Sequence, residues 1–165
     1  VGYNKNRQIR IGGDQMREIK CRAKVKWNGN HFFSGDWVVG FYAYKELTDE
    51  HVILVERPEM NRPGSYFSEA EVIHGTVGQY TPYRDITGEH ICEGDIIHFT
   101  VFDHNGTDTQ YKGVVKFAYG RWQIWKSDGS EYYGPDGAFD LDWVVSQDDE
   151  IETIGNVIDN PELLE

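Results

Sequence analysis

Between Ile19 and Trp27 the chain alternates without a break. Ile19, Cys21, Ala23, Val25 and Trp27 share one parity, and Lys20, Arg22, Lys24 and Lys26 share the other. A helix would scatter this pattern around its surface, whereas a strand sorts it into one apolar and one basic face. The segment is therefore predicted to be a half-buried strand. Asn28-Gly29-Asn30 follows at once and carries hairpin-turn chemistry, with His31-Phe32-Phe33 starting the return.

Similar signals run down the chain. Trp37–Tyr44 reads as a buried strand and Glu50–Glu56 as another; Arg57–Ser65, with Pro58, Pro63 and Gly64, reads as a loop. Further strands are predicted at Thr76–Tyr80, Asp95–Phe102, Gly113–Ala118, Arg121–Lys126, Leu141–Val145 and Ile151–Ile158. Turns are predicted at Asp85–Glu89, Asn105-Gly106, Tyr119-Gly120 and Gly134–Gly137. No window holds a helical period with convincing caps. Eighteen glycines and an aromatic content of 14% suit many short strands joined by tight turns. The expected fold is mainly β, with a barrel in residues 76–160. The expected organisation is an extension over residues 1–15, a β region over 16–75 and a barrel region over 76–165. With 165 residues the chain can bury a core without staples.

Charge narrows the function classes. Acids outnumber bases 28 to 16, for a net charge of −12, which argues against a general binder of nucleic-acid backbones. The distribution is uneven: residues 1–26 hold eight bases and two acids, and residues 131–165 hold eleven acids with no Lys or Arg. Head and tail are placed either to pair, within one fold or between subunits, or to lie as solvated faces. One stretch is locally basic and aromatic, and Tyr111, Lys112, Lys116, Tyr119, Arg121, Trp122 and Trp125 form a candidate interaction face of the kind that stacks single-stranded bases. Alternation would send about half of its aromatics inward. Asp140, Asp142, Asp148, Asp149 and Glu150 form a candidate acidic patch.

Little in the sequence points to catalytic chemistry. Cys21 and Cys92 make no CxxC and no zinc spacing, and are expected as free thiols. His90 and Cys92 would share a face of one strand, the weak outline of a Cys–His pair. Asp140 and Asp142 would likewise share a strand face, with Leu141 and Trp143 turned inward. Asp103, Asn105, Thr107 and Thr109 resemble the start of a calcium loop, but Asp108 stands where that loop needs its sixth-position Gly, and its twelfth position, residue 114, is not Glu. No phosphate cradle and no nucleophile elbow is present. No enzyme activity, cofactor or metal is expected. The longest apolar run, Trp37–Tyr44, is too short to span a bilayer, and the N-terminus lacks an apolar leader core, so a cytosolic protein is expected.

Three stretches together carry a resemblance. They are Met16-Arg17-Glu18-Ile19-Lys20-Cys21-Arg22-Ala23; Thr76-Val77-Gly78-Gln79-Tyr80-Thr81 with Asp85, Gly88 and Glu93-Gly94-Asp95-Ile96-Ile97; and Ile154-Gly155-Asn156-Val157-Ile158-Asp159-Asn160-Pro161-Glu162-Leu163-Leu164. In this order they resemble the YopX family of bacteriophage and prophage proteins over about Met16–Glu165. Cys21 stands where Phe is usual, Cys92 where Tyr or Phe is usual, and Pro82-Tyr83-Arg84 where Gly-Leu-Lys is common. The resemblance implies a phage or prophage origin in a bacterial cytosol, an SH3-like β-barrel in the C-terminal half, and homo-oligomers. It implies no catalytic residues. The motifs make structural sense alone: Gly94 suits a positive φ, Asp95 can accept backbone amides at that turn, and Asn160 can cap a terminal turn begun by Pro161. The function expected first is a non-enzymatic protein-interaction module that self-associates or meets a host protein. An acidic decoy mimicking nucleic acid is the alternative, and single-stranded nucleic-acid binding on the 111–126 face a further one.

Overall fold

The computed structural model describes residues 18–29, 31–59, 64–102, 106–126, 139–147 and 150–165. The extension over residues 1–15, the Gly134–Gly137 turn, Asp103, Asn105, Asp148 and Asp149 lie outside the described residues. The fold is mainly β and consists of two antiparallel sheets.

The first sheet contains β1 (Cys21–Lys24), β2 (Trp37–Lys45), β3 (Glu50–Pro58), β4 (Ser65–Glu71), β5 (Gly78–Arg84) and β6 (His90–Cys92), in the order β4-β3-β2-β1-β5-β6. The basic alternating segment sits inside it. Cys21 pairs with Gly40 and Ala23 with Val38, and their parity faces a core of Cys21, Ala23, Val25, Phe32, Val38, Ile53, Ala70 and Val72. The regular strand is shorter than the alternation. Val25 makes only an isolated bridge to Val72, and Ile19 and Trp27 are exposed. The return from the hairpin is not a strand at His31–Phe33; Phe32 plugs the core and regular pairing resumes at Trp37. A strand at Ser65–Glu71 was not expected. It is largely exposed and pairs along its length with β3, while its last residue, Glu71, also accepts the Lys26 N–H; it lacks the apolar alternation that reveals a half-buried strand.

The second sheet contains β7 (Asp95–Phe102), β8 (Asp108–Ala118), β9 (Arg121–Trp125) and β10 (Glu152–Asn156), in the order β10-β7-β8-β9. Ile97, Phe99, Val115, Trp122 and Ile124 form its core with Leu141, Val144 and Ile151, and Ile91 of β6 joins them. β5 and β6 are thus hydrogen-bonded into one sheet while burying Ile91, with Tyr83 alongside, in the other core. The sheets are not closed into a barrel. The second ends openly at β9 and β10, because β5 and β6 pair through β1 with the first sheet instead of completing a ring.

The segment expected as a strand at Leu141–Val145 is a helix, α1 (Leu141–Gln147). Its burial settles the period: Leu141 and Val144 are fully buried three residues apart, while Trp143 is 42% exposed. Seven residues are too few for sequence periodicity to choose between a helix and a strand. Among the described residues, no helix is long and apolar enough to cross a membrane.

Candidate functional site

The row of bases on β1 and beside its ends is answered base by base. Lys20 meets Glu18 at 2.8 Å, Lys24 meets Asp159 at 2.7 Å and Lys26 meets Glu71 at 2.7 Å, while Arg22 makes a close ion pair with Asp95. Two of these acids come from the C-terminal half. In this way part of the basic head and the acidic tail pair within one fold. The outer face of β1 is a clasp that holds the sheets together.

The clasp has a buried and an outer half. At the buried half the Arg22 guanidinium contacts Asp95, whose residue surface is 1% exposed and whose second oxygen accepts the Cys92 N–H at 2.7 Å. Burial pushes the Asp95 carboxyl up, against the opposing pull of Arg22 and the Cys92 amide. Gly94 makes the turn possible: at φ +83° it occupies the left-handed region that an L side chain resists. Its N–H donates to Val115 and its carbonyl accepts from Val157. At the outer half, Asp159 binds Lys24 through one oxygen and the Trp37 indole N–H through the other, at 2.6 Å. The hydrogen bonds from Lys24 and Trp37 pull the Asp159 carboxyl down to about 2. Arg22 and Lys24 each lie 4.9 Å from the centre of the Trp37 ring.

The tail reaches this position through an asparagine hook. Asn156 Oδ1 accepts the N–H groups of Ile158 and Asp159 at 3.0 and 2.9 Å. Asn160 does not cap the terminal turn over Pro161–Leu164 as expected; its Oδ1 accepts instead from the Asn156 N–H at 3.3 Å. Here a short turn is held from behind, so the cap position is spent on closing the hook. Beside the clasp lies a groove of about 430 Å³, with Arg22, Trp37, Glu93, Lys116, Lys126 and Ile158 among its walls.

The motif residues Arg22, Gly78, Gly94, Asp95, Asn156 and Asp159 thus converge at one junction. The candidate interaction face does not stay together. Trp122 is buried in the second core and Tyr111 packs against that core, stacked on Phe99 at 5.7 Å. Lys116 and Trp125 lie on the opposite side of the sheet, with Lys116 4.7 Å from the Trp125 ring. Lys112 shares the parity of Lys116, and Tyr119 stands 78% exposed at the hairpin tip. Arg121 pairs with Asp140 at 2.7 Å, and both line a second groove of about 450 Å³ together with Trp122 and Asp142. Asp140 and Asp142 therefore flank the start of α1 and do not form a strand-face pair, and Glu150 is exposed in a turn.

The Cys–His outline does not form. His90 is exposed and stacks on Tyr80 at 5.3 Å, whereas Cys92 is fully buried and its thiol donates to the Gly78 and Gln79 carbonyls at 3.4 Å. Burial pushes that thiol up to about 12, so it stays protonated and is a poor nucleophile. One cluster has no sequence signal. His51 stacks between Tyr44 at 4.9 Å and His74 at 4.1 Å, and Tyr42 Oη lies 2.6 Å from its Nδ1. Among the described residues no group of three or more His, Cys, Asp or Glu could hold a metal.

The outer half of the clasp makes a pH prediction. A carboxyl held below its unfolded value of 3.8 contributes stability above that value and loses it as pH falls toward about 2. Asp159→Asn should therefore flatten the loss of stability between pH 4 and pH 2, read as the urea midpoint against pH. An acid limb as steep as that of the unmodified protein would refute this assignment.

Fold and junction define a two-sheet β protein whose motif residues build a clasp between its halves. Residues 38–165 match the family described as YopX protein, and the chain belongs to the YopX family. Arg22 precedes the matched segment and joins the other motif residues in space through Asp95. No curated protein matches the sequence.

Proposed function

We propose that this YopX-family protein is a non-enzymatic interaction module that self-associates. The observation that carries the reading is an apolar patch on the first sheet that is exposed among the described residues. There Val39 is 40% exposed and Phe67 is 55% exposed, and the half-buried Phe41 and Leu54 lie in the adjoining row. Contiguous apolar surface on a folded chain commonly marks a protein contact. The motif residues are engaged in holding the sheets together, which is consistent with a scaffold that presents a surface. Light scattering on size-exclusion fractions is expected to give a mass above 19.0 kDa that rises with concentration. A strict monomer at every concentration and salt level would refute self-association.

A further inference from the structure

The core faces of both sheets run out of cover at the same groove. On the first sheet Ile19 continues the parity of the buried Cys21, Ala23 and Val25, yet it is 57% exposed. On the second, Phe117 pairs with Trp122 across the β8–β9 hairpin, so the two side chains share a face. Trp122 is buried in the core, whereas Phe117, edge to face with it at 5.0 Å, is 54% exposed. Both Ile19 and Phe117 line the groove of about 450 Å³, and Tyr83 of β5 adds to its aromatic wall. Gly120 lines it too, and beside Gly120 the exposed Tyr119 carries the apolar surface past the cavity. The polar part of the groove is unbalanced. Asp140 accepts from Arg121 through Oδ2 at 2.7 Å, while its Oδ1 is buried with no hydrogen-bond partner. Asp142, exposed in the first turn of α1, has no ion pair among the described residues. Two carboxylates therefore stand against one guanidinium.

We propose that this groove docks a partner protein through a peptide segment in which a lysine or arginine is flanked by apolar residues. The cation meets Asp142 and the acceptor capacity that Asp140 has left after Arg121. Its methylene stem lies along the aromatic wall, and the rings beside it add a cation–π attraction. The flanking apolar residues cover Ile19 and Phe117, which the fold leaves open to water. An anionic segment is disfavoured: it would face Asp142, and the Arg121 guanidinium that could answer it is already held by Asp140. A small free cation fits less well, because it would leave Ile19, Phe117 and Tyr119 uncovered. The groove uses none of the residues of the Val39–Phe67 patch, so the docking site stands apart from self-association there.

The test is fluorescence anisotropy on the full chain with a labelled, end-blocked octapeptide of alternating leucine and lysine. Peptides with glutamate for lysine, or serine for leucine, should bind about tenfold more weakly or worse. Asp142→Lys should weaken the leucine–lysine peptide about tenfold or more, since a repulsion replaces an attraction. Glu46→Lys makes the same charge change in the exposed β2–β3 turn and should stay within about twofold. Phe117→Ser should weaken binding about threefold or more. Ile19→Ser should do the same without touching Trp122, and circular dichroism melts check that each variant folds. Equal losses from Asp142→Lys and Glu46→Lys would reduce the binding to the net charge of −12 and overturn the site. Acetyl-lysine amide binding as tightly as the octapeptide would make the occupant a small cation and overturn the peptide partner. Self-association of the free protein that Asp142→Lys abolishes would assign the groove to a second copy, and would overturn it too. No binding of the octapeptide up to about 1 mM would overturn the docking site and leave self-association standing.

Discussion

Arg22→Met is expected to destabilise the protein by about 3–5 kcal/mol, because it strands a buried charge. The two partners of this pair are buried to different depths. The Asp95 side chain is 2% exposed and that of Arg22 is 18% exposed. Losing the guanidinium leaves a carboxylate in a dry position with the Cys92 N–H as its remaining hydrogen-bond partner. Losing the carboxylate leaves a guanidinium with a path to water. Asp95→Asn should therefore cost less than Arg22→Met, and its amide oxygen can still accept the Cys92 N–H. R22M/D95N should be more stable than Arg22→Met alone, since it buries no charge. Urea unfolding of the three variants gives the comparison; equal losses for the two single changes would refute the asymmetry.

The same variant has a pH signature. Burial holds the folded Asp95 carboxyl above its unfolded value of 3.8. A raised carboxyl contributes most below the unfolded value, and that contribution is lost as pH rises through the folded one. Without Arg22 the upward push meets less opposition. The deficit of Arg22→Met should therefore shrink as pH is lowered toward 4. A deficit that grows on acidification would mean that Asp95 is ionised more readily in the fold than in the unfolded chain.

Local rules carried far in this sequence. The parity of Cys21, Ala23 and Val25 predicted the core face of β1, and the Asp95–Phe102 strand appears with those bounds. The Tyr119-Gly120 hairpin and the positive φ of Gly94 followed from short-range turn chemistry as well. Two kinds of feature were hidden. One is short or exposed structure: α1 has too few residues to declare a period, and β4 is polar along most of its length. The other is long-range pairing. Arg22 and Asp95 are 73 residues apart and Trp37 and Asp159 are 122 apart, and nothing local marks one as the partner of the other. The charge asymmetry between head and tail hinted that they could meet. The row of four bases on β1 and beside its ends did not show that it would be neutralised in place.

Gly40→Ala is expected to cost about 3 kcal/mol or more, and Gly78→Ala about 2–3 kcal/mol, as overpacking against backbone. A Cβ at Gly40 would stand 2.1 Å from the Leu54 carbonyl oxygen and 2.9 Å from Ile53 Cγ2. No rotamer change relieves a clash with a backbone oxygen, so β2 and β3 would have to separate at the middle of the first sheet. At Gly78 the new Cβ would lie 2.5 Å from the Glu93 carbonyl oxygen. Glu93 donates its own N–H to Gln79, so this clash would pry β5 away from the turn that carries Gly94 and Asp95. Gly75 is the control. It lies close in sequence, but a Cβ there meets nothing within 4 Å, and Gly75→Ala should stay within about 0.5 kcal/mol. Thermal melts of the three variants rank the effects. The clash at Gly78 also predicts a specific coupling. Because that turn presents Asp95 to Arg22, Gly78→Ala combined with Arg22→Met should cost less than the sum of the two changes, since the first already loosens what the second unpairs. Strict additivity would show that β5 and the clasp respond independently.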